Sequence, residues 1–307
     1  MSNETTPLIE AIEKNNIDEV RRLIEAGAGV NTTYEFETVY GTSDSPSWCT
    51  EVQTALMLAA YKSEKEIVEL LVEHGADVNS TNSYGITALM LASNAFSKTQ
   101  TQIVEYLIEH GADINAVNKI GESALFYATT VETAKVLIDH GADINIVNEE
   151  GISILQSANT HSIEIAAMLI EYGVEPKSLD IQWWLIWAIQ NKRKKVVEIM
   201  INNKADINAV SDGSTPLMWA VSDNSLDIVK LLIDKGADIN TETDFLGFKQ
   251  SALEISVTHN FTDIVKLLLE HGADVKFRDY KGKSLLSYAK EDGYDKEIVE
   301  LLIKYGA

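Results

Sequence analysis

The 307-residue sequence predicts an all-α repeat solenoid built from short helix pairs, and three recurring features predict it. A pentapeptide of the form Gly-Ala-Asp-(Ile/Val)-Asn recurs along the chain. An apolar run with helical spacing precedes the copies, and a Thr or Ser start signal lies further upstream. Because such an array grows by stacking its units, one chain of this length does not need a second hydrophobic core.

The pentapeptide is present in nine intact, altered or truncated copies. Most successive copies are 30 to 36 residues apart, which is the period of a helical repeat. A glycine that follows an apolar run within a few residues is typical of the left-handed residue that ends a helix. The copies begin at residues 27, 75, 111, 141, 173, 204, 236, 272 and 306.

Two helices are predicted in each repeat. The second helix carries the apolar run, as in Ile228 to Leu232 before Gly236. The first helix begins at a hydroxyl residue followed by proline or another small or apolar residue, as in Thr215-Pro216-Leu217. Each unit is therefore a short helix, a tight turn, a second helix and an extended connection.

These units resemble ankyrin repeats, in which Thr-Pro-Leu, an apolar run and Gly-Ala-Asp-Val-Asn follow one another in this order. The resemblance runs from Thr6 to Ala307, with Trp183-Trp184 in place of Thr-Pro in the sixth unit. It implies β-hairpin fingers, first helices that line a concave face and second helices that form a convex back. We predict one ankyrin repeat domain with units at about 5–31, 52–79, 83–115, 119–145, 149–176, 180–208, 212–240, 248–276 and 280–307, and finger insertions at 32–53 and 241–250.

Composition and charge restrict the class of protein. The net charge of −22 disfavours nucleic acids and anionic membranes as partners. No signal peptide or membrane span is visible, and the single Cys49 cannot form an internal disulfide. We therefore expect a monomer, with polar terminal units, in the cytoplasm or delivered into another cell without a classical signal peptide.

No catalytic residue, metal site or cofactor is predicted. The sequence lacks a Gly-rich phosphate loop, Cys-x-x-Cys, His-Glu-x-x-His and Gly-x-Ser-x-Gly. Four histidines directly precede turn glycines, and the aspartates of the pentapeptide repeat with the same period, so both indicate structural roles. We expect this protein not to be an enzyme.

Two groups of residues are candidates for partner binding. If the ankyrin geometry holds, the residue before the conserved alanine of each first helix forms a column on the concave face, where aromatic side chains are effective anchors. The column contributes Tyr127, Trp187, Trp219, Ile255 and Tyr288, and the fingers contribute Tyr40, Trp48, Phe245 and Phe248. The alternatives are that the column packs between repeats as core and that the finger residues fold back on the array.

The sequence favours a non-catalytic protein–protein interaction module that binds its partner through the concave face and the finger loops. An alternative is an acidic inhibitor or immunity protein that neutralises a basic toxin or a nucleic-acid-acting enzyme, because the chain is strongly acidic. An effector delivered into another cell would share the biochemistry of the first hypothesis. A purely architectural spacer would have no saturable partner.

Overall fold

A computed structural model describes residues 6–40, 47–62, 64–94, 97–177, 179–245, 248–276, 282–291 and 294–307; the side chains at 36–40, 47–50, 159–161, 245 and 248 lie outside this description. The described ranges contain seventeen α-helices, one 3₁₀ helix and four β-strands. The chain divides into two compact units, Met1–Val174 and Glu175–Ala307.

The first unit consists of helix pairs and one long β-hairpin. The first helices of successive repeats pack on one another, and the second helices form a separate layer in the same way. The elements are α1 (Pro7–Glu13), α2 (Ile17–Glu25), β1 (Thr33–Tyr40), β2 (Ser47–Thr54), α3 (Ala55–Lys62), α4 (Lys65–Glu73), α5 (Ala88–Ser93), α6 (Lys98–Glu109), the 3₁₀ helix (Ala124–Tyr127), α7 (Val131–Asp139), α8 (Ile154–His161) and α9 (Ile163–Glu171).

The second unit repeats this plan with a shorter hairpin. Its first helices α10, α12, α14 and α16 pack in succession, and its second helices α11, α13, α15 and α17 do the same. The elements are α10 (Ile181–Gln190), α11 (Lys194–Asn202), α12 (Pro216–Ser222), α13 (Leu226–Asp234), β3 (Thr243–Phe245), β4 (Phe248–Gln250), α14 (Ala252–Thr258), α15 (Thr262–Glu270), α16 (Leu285–Ala289) and α17 (Lys296–Lys304).

Helix α12 shows how the local sequence sets the boundaries of a first helix. The hydroxyl of Thr215 accepts a hydrogen bond from the amide of Met218 at 3.2 Å, and Pro216 occupies the first helical position. Proline fits there because its missing N–H would have no helical partner. In the same repeat Gly236 has φ +93° after α13, which is the left-handed helix end that the sequence predicts.

The enlarged fingers are antiparallel β-hairpins. Strands β1 and β2 pair from Thr33 with Thr54 to Tyr40 with Ser47, and β3 and β4 pair from Thr243 with Gln250 to Phe245 with Phe248. Where the first hairpin meets the helices, the Tyr34 hydroxyl donates to Oε1 of Gln53 at 3.1 Å. Burial, reinforced by nearby Glu13 and Glu51, raises the pKa of Tyr34 to about 12.

Asparagine side chains connect neighbouring repeats at several positions within each of the two units. The Oδ1 atom of Asn79 accepts from the amide of Asp113 at 2.8 Å, and its Nδ2 donates to the carbonyl of Gly111 at 2.9 Å. Within each turn the aspartate accepts from the amide two residues later, as Asp113 does from Asn115. The aspartates are therefore turn formers. The same inter-repeat bond joins Asn31 to Asp77, Asn115 to Asp143, Asn208 to Asp238 and Asn240 to Asp274.

Candidate partner-binding surface

Helix α10 places three tryptophans in different environments. Trp184 is 1% exposed and belongs to the core, Trp187 is half-buried, and Trp183 is 46% exposed. Because residues four apart share a helix face, Trp183 and Trp187 lie on one side, with ring centroids 6.5 Å apart and planes within 18°. Trp184 meets Trp187 edge to face at 4.9 Å.

The start of α10 explains this arrangement. The side chain of Asp180 accepts a hydrogen bond from the amide of Trp183 at 3.0 Å and caps the helix. The helix therefore begins at Ile181, ahead of the Trp183-Trp184 pair that stands in the Thr-Pro place of the repeat. The additional helical residues at the N-terminus bring Trp183 onto the same face as Trp187.

Helix α12 contributes Trp219, which is half-buried. Its indole Nε1 is buried and has no hydrogen-bond partner among the described residues, and the same holds for Oδ2 of Asp223, one turn later. Burial raises the pKa of Asp223, and the positive charge of Lys192 opposes this shift. Trp219 and Asp223 thus each carry a buried polar atom whose hydrogen-bonding capacity is not used.

The remaining residues of the column differ in what they expose. Ile255 is 5% exposed and packs in the core, so the expectation that it offers a contact surface is not met. Tyr288 is half-buried, with the ammonium of Lys283 3.9 Å from its ring centroid. Such a cation–π contact covers part of the ring.

Tyr127 lies in the first unit and ends the 3₁₀ helix. Its hydroxyl accepts a hydrogen bond from Nδ2 of Asn118 at 2.8 Å, and burial raises its pKa. The ring is half-buried. The Tyr127 hydroxyl is therefore held by Asn118 in the segment that precedes the helix, which gives Tyr127 a structural contact.

The finger residues are described through their backbones. Tyr40 ends β1, Trp48 pairs with Val39, and Phe245 pairs with Phe248 across the short hairpin. Their side chains are among those that lie outside the described part of the structure. Contact between these four residues and a partner stays a prediction.

A pocket of about 350 Å³ lies beside Trp183 and Trp187 of α10. This volume is at the lower end of the range of ligand pockets, roughly 300–1,000 Å³. Gln182 on its wall is fixed by two hydrogen bonds to the backbone of Asp206, at 2.9 and 3.1 Å. The lining residues are Asp180, Gln182, Trp183, Ile186, Trp187, Gln190, Ser211 and Asp212.

The histidines before the turn glycines close helix ends. Nδ1 of His74 lies 2.8 Å from the carbonyl of Leu70, and His110, His140 and His271 make the equivalent contact. Because a carbonyl only accepts, each ring donates its Nδ1–H. In the described part of the chain, no three His, Cys, Asp or Glu side chains are grouped so that they could hold a metal ion.

The family of the chain follows from comparison with known proteins. A family model described as "Ankyrin repeats (3 copies)" matches residues 36–118, 94–180, 182–243 and 241–307. The chain belongs to the ankyrin repeat family. Ankyrin repeats are generally protein–protein interaction modules and are typically non-catalytic. The matches overlap and do not count individual repeats, so nine repeats stay a prediction.

Curated relatives share short stretches of this ankyrin repeat chain. An ankyrin repeat protein of Rickettsia bellii (strain RML369-C) is 31% identical over 91 residues, which are 27% of this chain and 38% of the relative. The human mitochondrial disaggregase is 36% identical over 78 residues, 25% of this chain and 9% of the relative. The human 2-5A-dependent ribonuclease is 36% identical over 90 residues, 29% of this chain and 10% of the relative. The chain thus matches well under two thirds of each relative's length.

The helices of this ankyrin array are short. Within the described ranges, none combines the length and the apolar character that crossing a membrane would require.

Proposed function

We propose that this ankyrin repeat chain is a non-catalytic module that binds a partner protein through the tryptophan surface, defined as Trp183, Trp187 and Trp219 on α10 and α12. The observation that carries the proposal is the 46% exposure of Trp183 beside the half-buried Trp187. The general role of ankyrin repeats in protein interactions supports it.

The core under α10 is filled by Trp184, so the exposed Trp183 of the same helix is not needed to complete it. Full burial of a large apolar side chain contributes roughly 1.5–3 kcal/mol. Tryptophan is also enriched among the few residues that dominate binding energy in interfaces. The tryptophan surface therefore has the chemistry of an interface centre.

Other predicted contacts would lie outside this centre. Tyr288 could be reached by a partner on the part of its ring that Lys283 leaves uncovered, and the finger residues Tyr40, Trp48, Phe245 and Phe248 are proposed as additional contacts. Tyr127 and Ile255 are not part of the proposed surface, because the first is held by Asn118 and the second is in the core.

The test is affinity capture from a lysate of the source organism with two double variants. Trp187→Ala/Trp219→Ala should lose the partner that the wild-type chain retains. Leu226→Ala/Ile303→Ala removes exposed apolar side chains from the second helices α13 and α17 and should retain it. Circular dichroism and urea unfolding of each variant confirm that the fold persists. Equal capture by both variants would remove the basis of the proposal.

A second candidate is an acidic inhibitor or immunity protein that covers the active surface of a basic toxin or nucleic-acid-acting enzyme. The net charge of −22 is the observation that favours it. Association driven by this charge should slow and weaken steeply as ionic strength rises. Repeating the capture at low and high salt separates the candidates, because a partner anchored by the tryptophan surface is retained at both.

We also infer that the protein acts as a monomer in the cytoplasm, or in a second cell after delivery. The net charge of −22 supports the monomer, since a net charge far from zero makes copies of a protein repel one another. Sedimentation at several protein concentrations tests this. A mass that rises with concentration would contradict it.

A further inference from the structure

We propose that the pocket beside α10 binds an arginine side chain presented by the partner protein. The proposal rests on the proposed function, because it names the chemistry that the tryptophan surface recognises. We call this site the arginine pocket, and it is lined by eight residues of the second unit.

The aromatic part of the pocket suits a flat cation. Trp183 and Trp187 both line it, and their ring planes are within 18° of parallel with centroids 6.5 Å apart. A guanidinium group is planar, is weakly hydrated and stacks on aromatic faces. Tryptophan is also the strongest partner for such cation–π contacts. The two rings therefore offer faces on which a guanidinium can lie.

The polar part of the pocket supplies the opposite charge. Asp180 and Asp212 are both exposed and line the pocket, and no Lys or Arg is among its lining residues. Asp180 is held in place because it caps α10, and Asp212 sits at a hairpin turn with φ +49°. A carboxylate retains acceptor capacity after one cap bond, since each oxygen carries two lone pairs. The site thus combines aromatic walls with two negative charges, one of which is held in place by the helix cap.

Arginine fits this combination better than the other natural cation. Its planar fork can donate two parallel hydrogen bonds to one carboxylate while its face contacts an indole ring. The lysine ammonium is a compact, strongly hydrated point charge, so stacking gains it less. The charges of Asp180 and Asp212 would repel an anionic ligand and would attract a neutral one less than a cation.

The experiment titrates the full-length, ¹⁵N-labelled protein with N-acetyl-arginine-N-methylamide and follows the indole N–H signals of its five tryptophans. We expect saturable shifts of the Trp183 and Trp187 signals, assigned by Trp→Phe replacement, with a dissociation constant in the millimolar range. The matching citrulline compound has the same shape without the charge and should cause no saturable shift. The matching lysine compound should bind more weakly.

Variants separate the charge of the pocket from its structure. Asp180→Asn/Asp212→Asn should bind the arginine compound about five- to tenfold more weakly, because two ion pairs are lost. Asparagine still caps a helix and still tolerates positive φ, so the local backbone is retained. Asp234→Asn/Asp263→Asn removes the same charge from exposed sites on α13 and α15 and should bind like wild type.

Four other results of these titrations and of the capture experiment would contradict the proposal in whole or in part. No saturable shift, or an equal response to citrulline, overturns it. Equal binding of lysine overturns the selectivity for arginine. Tighter binding of free arginine than of the capped compound overturns presentation by a protein. If the capped compound binds but Trp187→Ala/Trp219→Ala keeps its captured partner, the proposed function fails while the pocket stands, so the two failures are distinguishable.

Discussion

The side-chain amide of Asn191 donates a hydrogen bond to the carbonyl of Trp187 at 2.8 Å, at the end of α10. His259 makes the equivalent contact to Ile255 at the end of α14, at 2.9 Å. In the repeat between them the same place is taken by Asp223, which has no hydrogen to donate when ionised. Helix α12 therefore ends with a side chain that accepts hydrogen bonds, whereas α10 and α14 end with side chains that donate one to the last turn.

Replacing Asp223 by Asn should stabilise the protein. The amide can donate to the Trp219 carbonyl as Asn191 does to Trp187, and it removes a negative charge from the negative end of a helix dipole. We expect the free energy of unfolding to rise by about 0.5–1.5 kcal/mol at neutral pH. Urea unfolding followed by far-UV circular dichroism measures it.

The stabilisation by this replacement should depend on pH. Burial raises the pKa of Asp223 above its ordinary value of 3.8, so the folded chain binds this proton more tightly than the unfolded chain. The protonated carboxyl stabilises the fold fully at pH values below the pKa that Asp223 has in the unfolded chain. This stabilisation is lost as the pH rises through the higher pKa that Asp223 has in the folded chain. The advantage of Asn should therefore grow from acidic to neutral pH. As a control, Asp227→Asn changes the same charge in the first turn of α13 and should be neutral or destabilising.

Removing one inter-repeat asparagine should loosen the array at that position. Asn79→Ala breaks the bonds to the Asp113 amide and the Gly111 carbonyl, which join two consecutive repeats. We expect the free energy of unfolding to fall by about 1–2 kcal/mol, since two backbone groups lose partners. Hydrogen exchange at the Asp113 amide should accelerate as well.

Ser80→Ala provides the comparison for Asn79. Its hydroxyl bonds to Asp77 within the same turn and reaches no other repeat in the bonds described. We expect a loss of about 0.5 kcal/mol or less. An equal loss for both variants would mean that the asparagine bonds do not couple the repeats.

Most of the fold is predictable from the sequence because the same local signals are repeated. Thr or Ser before a first helix and Gly after a second helix act within a few residues, as Thr215 and Gly236 show. The 3₁₀ helix that ends at Tyr127 was not predicted. The fourth repeat is short between its helices, and whether the chain then forms an α or a tighter helix depends on packing with its neighbours.

The candidate site is less predictable because the residue at which a helix begins decides which of its side chains are exposed. The sequence column contains Trp187 and Trp219 but not Trp183, since Trp183-Trp184 stood in the place of a helix start. The cap by Asp180 puts that start earlier. The four-residue spacing of Trp183 and Trp187 was the signal that could have identified the pair. Ile255 is buried, and the sequence pattern alone does not show that this position of α14 faces the core.

One repeat ends its second helix with a lysine in the glycine position. Lys204 has φ +72°, a left-handed conformation that costs a non-glycine residue roughly 1–2 kcal/mol. Lys204→Gly should raise the free energy of unfolding by about 0.5–1 kcal/mol, the net of that strain and the entropy of glycine in the unfolded chain. The reverse change, Gly236→Lys, should lower it by a similar amount. A Cβ at Gly236 meets no atom within 4 Å, so the conformational effect is isolated. Thermal and urea unfolding measure the free energy of unfolding of both variants. The two changes must have opposite signs if the left-handed conformation is their cause.

Two adjacent tryptophans should differ sharply in their effect on stability. Trp184→Ala removes a ring that is 1% exposed and should cost about 3–5 kcal/mol. Trp183→Ala removes a ring that is 46% exposed and should cost about 1 kcal/mol or less, mainly its ring contacts with Trp184 at 5.7 Å and with Trp187 at 6.5 Å. Urea unfolding of both variants at one pH gives the comparison. A loss for Trp183 as large as that for Trp184 would assign the ring to the core, and the tryptophan surface would then lack the exposed residue on which its proposed function depends.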